Sequence, residues 1–433
     1  MNLLEDEWLT VLRRNGETHK ITGLWQITVG INSDNPIIDI LSPRADFKGA
    51  LYQLLIGLVQ TTFAPKNEDV WENYWQSPPD IDSLKDAFLT VAEAFSIDTD
   101  KPAFMQDFES LNDRQNVDIA SLLIDTSGGG TFFVKEGTTE NLSPYWASIA
   151  LFTLQINAPS GGSGHRTSLR GGGPLTTLVL PDETQQAASL WHKLWLNIFT
   201  QQEVAALSGN TDLKDLSAIF PWLAKTRTSE ASKKDFITQP EQGHPYQMYW
   251  GMPRRIRLDF KATKAGECDI SHETTEQLIS QYRTKNLGVN YSSTWIHPLT
   301  PYVRDPKKEA YSVKAQVGGF NYRYWLGLVL DDEKNHKQAA KVVQIYLNSR
   351  QEIIAGDYQP RLWLFGYDMD NMKARCWYET IMPVFPIPQK SRKILQGFIS
   401  QMLNAATEVA LDVRSTLKQA WFSKPKEVKG EIS

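Results

Sequence analysis

The chain has 433 residues, of which 41% are hydrophobic and 14 are tryptophan, and this composition is typical of a folded protein of two or three domains. Its formal net charge of −5 excludes a generally basic nucleic-acid coat protein, so any contact with phosphate groups has to be local. Two cysteines, Cys268 and Cys376, exclude a disulfide framework and a zinc cluster.

The N-terminus and the hydropathy of the chain indicate a cytoplasmic protein. The opening segment Met1-Asn-Leu-Leu-Glu-Asp-Glu7 is acidic where a signal peptide would be basic. No apolar run has the length that is needed to span a bilayer. We therefore expect a soluble protein in a reducing compartment, the cytoplasm, with no membrane partner.

The N-terminal part predicts short strands followed by helices. Strands at residues 8–12 and 21–29 flank an Asn-Gly turn. Residues 46–64 have the period of an amphipathic helix, which ends before Pro65, and residues 80–95 predict a second one. A further helix is predicted at residues 182–199, after the glycine-rich stretch described below.

Residues 127–137 form the first unusual loop, in which three glycines precede Thr131, Phe132, Phe133 and Lys135. Aromatic side chains on a partly basic loop suit stacking on nucleotide bases or insertion into a partner's groove. The alternative is a β-hairpin in which both phenylalanines pack inward. Both interpretations stay open.

Residues 157–177 are the most unusual stretch, with six glycines among His165, Arg166 and Arg170. Glycine allows the backbone to approach another surface closely and to adopt positive φ, and successive N–H groups in such a turn can bind an anion. The arginines add charge where a phosphate could sit. The stretch therefore predicts a contact between backbone and nucleotide or nucleic acid; the alternative is a flexible surface loop.

The second half contains two basic clusters and one acidic turn. Residues 252–257 and 282–285 are the basic clusters, strands are predicted within 311–328, and a helix at 337–350. A buried strand at 362–367 leads into Asp368 and Asp370, which could hold Mg²⁺ in a nuclease or nucleotidyl-transferase. Against this, no other carboxylate motif accompanies them, and the segment is equally a turn with Asn371, Lys373 and Arg375.

Three prolines at residues 383–390 predict a linker between a mixed α/β domain, residues 1–382, and a long helix in residues 391–433. The helix spans about 45 Å at ~1.5 Å per residue and carries an apolar stripe. A helix of this length needs partners that cover its stripe.

Several separated motifs resemble one family. They are Asn157-Ala-Pro159 before the glycines, Leu169-Arg-Gly-Gly172, Pro174-Leu-Thr-Thr177 and Trp295-Ile-His-Pro298. Together they resemble the large subunit of the type I-E CRISPR surveillance complex, Cascade (the CasA family). The resemblance implies an α+β fold: a large N-terminal domain with antiparallel sheets and helices, then the start of a C-terminal helical bundle. In this family a four-helix bundle stands there, so we expect the sequence to be a shortened form or an incomplete domain.

The resemblance also implies a non-enzymatic protein without a cofactor or metal. Such a subunit recognises the PAM, a short motif on double-stranded target DNA, promotes strand separation and helps to recruit a helicase-nuclease. Its other partners are guide RNA and the remaining Cascade subunits. A metal-dependent nuclease that uses Asp368 and Asp370, and a purely structural scaffold, are the alternatives.

The family's functional residues can be carried over by position. The PAM-binding set consists of Gly161, Gly162, Ser163, Gly164, Arg166, Arg283, Lys285, Asp370, Asn371 and Met372. Arg283 and Lys285 lie near the family's PAM-reading lysine; Asn371 stands where some relatives have a wedge glutamine, and Asp370 where they have an asparagine. The loop with Thr131, Phe132, Phe133 and Lys135 would reach toward the guide RNA and neighbouring subunits.

Overall fold

A computed structural model describes residues 1–126, 137–162, 164–181, 188–230, 236–261, 264–354 and 360–424. Its helices are α1 Ala45–Thr62, α2 Glu68–Gln76, α3 Ile81–Leu89, α4 Pro144–Asn157, α5 Leu190–Trp195, α6 Gln201–Val204, α7 Trp325–Val329, α8 Lys341–Ile345, α9 Gln351–Ile353 and α10 Gln389–Trp421. Its strands are β1 Thr10–Arg13, β2 Thr18–Lys20, β3 Ile37–Ile40, β4 Asn116–Asp118, β5 Thr176–Pro181, β6 Arg255–Leu258, β7 Gly266–Glu267, β8 Thr274–Thr275, β9 Gln281–Lys285, β10 Tyr302–Val303, β11 Tyr311–Ser312, β12 Lys337–Gln338, β13 Pro360–Asp370 and β14 Lys373–Pro383.

The strands form small sheets in which every strand pair is antiparallel. In the described part of the chain their orders are β2-β1-β3, β4-β9-β6, β14-β13-β5, β11-β10-β12 and β7-β8. Helices pack between and around these sheets, and the predicted α+β class is confirmed.

Helix α1 lies at the centre of the core, and its predicted apolar face is confirmed. Leu51, Leu54, Leu55 and Leu58 are all fully buried. At its start the Arg44 guanidinium pairs with Asp46 at 2.9 Å, which places a carboxylate in the first turn, where the helix dipole favours it.

A tryptophan cluster joins α2 to α5. Trp71 stacks on Trp195 with ring centroids 6.1 Å apart, and Trp195 stacks on Trp191 at 4.8 Å. The predicted helix 182–199 is much shorter, at 190–195, and residues 182–187 lie outside the described residues. Just beyond it, Asn197 exchanges two hydrogen bonds of 2.9 Å with the backbone of Val179 in β5, so its amide serves the sheet.

Other elements also differ from the predictions. The helix predicted at 80–95 ends at Leu89 and continues as a 3₁₀ turn, Ala92–Phe95. Of residues 311–328, only Tyr311–Ser312 is a strand, because the short apolar run that begins at Trp325 forms helix α7; periodicity alone does not separate these states. Residues 337–350 begin as strand β12 and become helical only from Lys341.

Helix α10 leaves the body with its apolar side chains exposed, including Phe398 and Met402. Near its start, the Gln396 side chain donates hydrogen bonds to the carbonyl oxygens of Leu330 at 3.1 Å and Asp331 at 2.8 Å. Strand β14 extends to Pro383, and the division of the chain into domains stays a prediction. None of the helices described combines the length and the low polarity that crossing a bilayer requires.

Candidate nucleic-acid interface

Strand pairing brings the glycine loop, defined here as residues 158–174, beside the hairpin of β13 and β14. Strand β5 follows the loop and runs antiparallel to β13, with Thr176 opposite Phe365. Residues that precede β5 therefore lie beside residues that follow Phe365. The contact is close, since a Cβ on Gly173, whose φ is +60°, would lie 2.4 Å from Met369 Cγ.

The tip of this hairpin, residues 370–373, reaches the exposed part of the glycine loop. Met372 is 47% exposed, and its Sδ atom lies 3.6 Å from the position of a Cβ on Gly162. Asn371 adopts the left-handed conformation, with φ of 55°, which asparagine tolerates better than most residues. Asp370, Asn371 and Met372 thus form an exposed turn against the loop.

The end of strand β9 supplies the third segment. Leu287 N–H donates a 2.9 Å hydrogen bond to the carbonyl oxygen of Gly164, and its Cδ2 lies 2.9 Å from the position of a Cβ on Gly164. Gly164 has φ of +82°. Lys285 lies two residues before Leu287 and is partly exposed. Three segments that are distant in sequence therefore meet around Gly162 and Gly164.

Arg254 lies beneath the loop. Its Nη2 donates a 2.5 Å hydrogen bond to the carbonyl oxygen of Pro159, and its Nη1 lies 2.3 Å from the position of a Cβ on Gly161. The Gly161 backbone thus packs directly on the guanidinium. Burial, together with the Arg254 charge, lowers the pKa of His165, which is consistent with a neutral imidazole here.

Two arginines of the loop are hydrogen-bonded to other parts of the chain. Arg166 donates from Nε to Ser229 Oγ at 2.8 Å. Arg170 is 4% exposed and donates to Thr176 Oγ1 at 2.8 Å and to the carbonyl oxygen of Ile156 at 2.9 Å. The expectation that Arg170 lies where a phosphate could sit is wrong, because the side chain is buried and its N–H groups are hydrogen-bonded to residues at the two ends of the loop.

Arg283 and Lys285 occupy different environments on β9. The Arg283 guanidinium is 17% exposed and pairs with Asp259 at 2.8 Å. It also donates to Asn112 Oδ1 at 3.3 Å, away from the loop. Lys285 lies nearer than Arg283 to Leu287 along the chain, and as the register partner of Arg255 in β6 it shares the face of that side chain.

The paired aspartates of the hairpin do not form a metal centre in the described structure. Asp368 is buried and accepts two hydrogen bonds from Arg375, at 3.0 Å and 2.6 Å. Such a bidentate pair engages both carboxylate oxygens. Among the described residues no three His, Cys, Asp or Glu side chains are grouped as metal ligands would be.

Thr131, Phe132, Phe133 and Lys135 lie outside the described residues, as does Ser163. Conversely, reasoning from sequence missed Arg254 and Leu287 as parts of this interface. In the sequence, Arg254 is one member of the basic cluster 252–257, and no motif singles out Leu287.

The architecture is shared with solved structures of CRISPR-associated proteins. CasA (Cse1) from Thermus thermophilus matches with a TM-score of 0.67 and 15% identity, over 97% of this chain and 80% of that chain. Cse1 from Acidimicrobium ferrooxidans matches with a TM-score of 0.65 and 17% identity, over 95% and 76%. A chain of a CRISPR RNA-guided surveillance complex matches with a TM-score of 0.70 and 14% identity, over 97% and 83%. At these identities the likeness shows a common fold.

The fold is the one seen in these CRISPR-associated proteins. The family model for CRISPR-associated protein Cse1 matches residues 2–433. The chain belongs to the Cse1 family, whose members are also named CasA, and the family resemblance of the sequence is confirmed.

Proposed function

We propose that this chain is the non-catalytic large subunit of an RNA-guided, Cascade-type surveillance complex and that it recognises the PAM of double-stranded target DNA. The observation that carries the proposal is the meeting of three segments at one exposed place: the glycine loop, the end of β9 and the hairpin tip. Membership in the Cse1 family supports the choice of complex.

The chemistry of the three segments suits a duplex. At Gly161 and Gly162 the loop exposes backbone without side chains, a shape that fits a narrow minor groove and its acceptor-rich edge. Lys285 adds a cation for a backbone phosphate. Met372 is an exposed apolar side chain next to this backbone, and such side chains can lean on a base step and open it. The arrangement therefore combines PAM recognition with the first step of strand separation.

The partners follow from the family and not from a contact seen in this chain. We propose guide RNA and other Cascade subunits as its assembly partners, a helicase-nuclease as the protein it helps to recruit, and the cytoplasm as its location. A metal-dependent nuclease is less well supported, because the Asp368 carboxylate is held by Arg375.

The deciding experiment reconstitutes the complex with guide RNA and presents guide-matched duplexes in which the bases beside the matched segment are randomised. We expect a subset of flanking sequences to be bound preferentially, and we expect the preference to disappear when Gly162→Asp replaces the wild-type chain. Binding that ignores the flanking bases would refute PAM recognition and favour a scaffold. Mg²⁺-dependent cleavage by the purified chain, lost in Asp370→Asn, would favour the nuclease.

A further inference from the structure

Arg254 is a buried cation that has no acidic partner among the residues that the structure describes. Its side chain is 8% exposed, and its Nε is buried without a hydrogen-bond partner. Its Nη2 donates to a neutral acceptor, the carbonyl oxygen of Pro159. Within the described ranges, no carboxylate lies within 4.0 Å of the guanidinium. Burying a charge without a partner costs several kcal/mol. Arg170 is likewise buried among neutral acceptors, but Arg254 differs in keeping an unbonded N–H, at Nε, so an anionic partner at the loop would stabilise it.

The neighbouring arginines of β6 differ in their partners. Arg255 pairs with Asp107 at 2.6 Å and with Glu109 at 2.7 Å. Arg257, on the same face of β6 as Arg255, donates to backbone carbonyl oxygens, including that of Asp100 at 2.9 Å. Successive side chains of a strand point to opposite faces, so Arg254 is directed away from these acids and under the glycine loop.

The Arg254 guanidinium lies directly below Gly161. That glycine is exposed, and Nη1 lies 2.3 Å from the position that a Cβ would occupy there. Burial lowers the pKa of Arg254 to about 10, so the guanidinium is still protonated at neutral pH. A positive charge under exposed backbone N–H groups is an arrangement that attracts anions.

We propose that Arg254 is the buried charge that holds a backbone phosphate of duplex DNA on the glycine loop, and that this phosphate is its missing counter-ion. The inference rests on the proposed function, since it takes duplex DNA as the ligand of the loop. Arg254 acts through the loop as a positioning residue. Because phosphate contacts set affinity and register while base contacts set specificity, Arg254 governs how tightly DNA is held and leaves the choice of PAM unchanged.

The test compares three variants in the reconstituted complex: Arg254→Gln, Arg254→Lys and, as matched control, Arg257→Gln. The control removes a similarly buried charge from strand β6, which begins directly after Arg254, and its side chain is directed away from the loop. For R254Q we expect about a tenfold loss of affinity and a salt dependence shallower by about one unit, with the ranking of flanking sequences unchanged. R254K keeps the charge and should keep the wild-type salt dependence. R257Q should leave both the affinity and its salt dependence unchanged.

The outcomes separate this inference from the proposed function. If the wild-type complex ignores the flanking bases, the proposed function fails whatever the variants do. If the wild type discriminates and R254Q shows wild-type affinity and salt dependence, only the role of Arg254 is refuted. A loss of affinity in R254Q and R254K alike, with unchanged salt dependence, would also refute it, because Arg254 would then only brace Pro159. If R254Q fails to fold, R254K is measured alone. Affinity near that of the wild type would support the inference, and a loss of affinity with unchanged salt dependence would refute it.

Discussion

Leu287 N–H donates a 2.9 Å hydrogen bond to the carbonyl oxygen of Gly164, and this bond fastens the glycine loop to the end of strand β9. Within the loop, His165 N–H donates to the carbonyl oxygen of Gly162 at 2.8 Å. The loop is therefore fastened to β9 at Gly164 and closed on itself between Gly162 and His165. A held loop loses less conformational entropy when DNA binds, which favours affinity.

Gly162→Asp is expected to abolish PAM-duplex binding nearly completely, because the carboxylate would lie beside phosphates on the exposed loop. The left-handed φ of +65° adds a stability cost of about 1–2 kcal/mol. Gly16→Asp is the matched control, since Gly16 has φ of +89° in an exposed turn with nothing within 4 Å of its Cβ position. Affinity and thermal unfolding are measured for both. Normal PAM discrimination by G162D would remove the loop from the interface.

The double substitution Asn371→Gly and Met372→Ala is expected to slow strand separation on a linear duplex and to spare a target that already contains an open bubble. Opening a base step costs a few kcal/mol, so side chains that lean on it matter only while it opens. Glycine preserves the left-handed turn at residue 371. Ile381→Ala, at a 61% exposed position elsewhere on the hairpin, is the control. Equal slowing on both substrates would indicate a structural turn.

Replacing Lys285 is expected to weaken DNA binding, whereas replacing Arg283 is expected to destabilise the fold. Lys285→Ala should make the salt dependence of DNA affinity shallower by about one unit without changing thermal unfolding. Arg283→Ala should cost about 3 kcal/mol of stability, because it leaves the Asp259 carboxylate, 5% exposed, without its partner.

Urea unfolding and salt titration of DNA binding measure the two effects. Adding Asp259→Asn to Arg283→Ala should recover part of the lost stability, as expected for a coupled pair. An unchanged salt dependence in K285A would mean that this lysine is an ordinary solvated charge.

His244 is expected to make the protein less stable in mild acid. Burial lowers its pKa to about 4, and its Nδ1 accepts a 3.2 Å hydrogen bond from Tyr246 N–H, which requires a neutral ring. Since the unfolded chain takes up the proton near pH 6.5, the free energy of unfolding should fall as the pH drops from about 6.5 to about 4.

His244→Asn keeps an acceptor for Tyr246 N–H and should show a smaller loss of stability between pH 7 and pH 5 in urea unfolding. His272→Asn, at a side chain that is 75% exposed, is the control and should retain the wild-type loss. Part of the pH dependence of stability should persist in H244N, because burial also lowers the pKa of His297 well below its usual range. Identical pH dependence in H244N and the wild type would contradict the assignment.

The sequence by itself determined the local features of this protein. Each of these features belongs to one continuous segment: the unusual composition of residues 157–177, the apolar run at 362–367, and the helical period sustained along α10. Each segment forms the loop or element that was expected. The strands predicted within the short mixed segment 311–328 were largely wrong, because a helix of five residues is too short for its hydrophobic period to distinguish it from a strand.

Only the tertiary structure decided which residues of those segments share the interface. Arg254 and Arg255 are neighbours in one basic cluster, yet strand alternation directs the first under the glycine loop and the second to Asp107. Arg170 looked accessible beside its glycines and is buried. The physical reason is that composition and period are local, whereas the facing of a side chain depends on the register between strands that are far apart in sequence: β5 against β13, and β6 against β9.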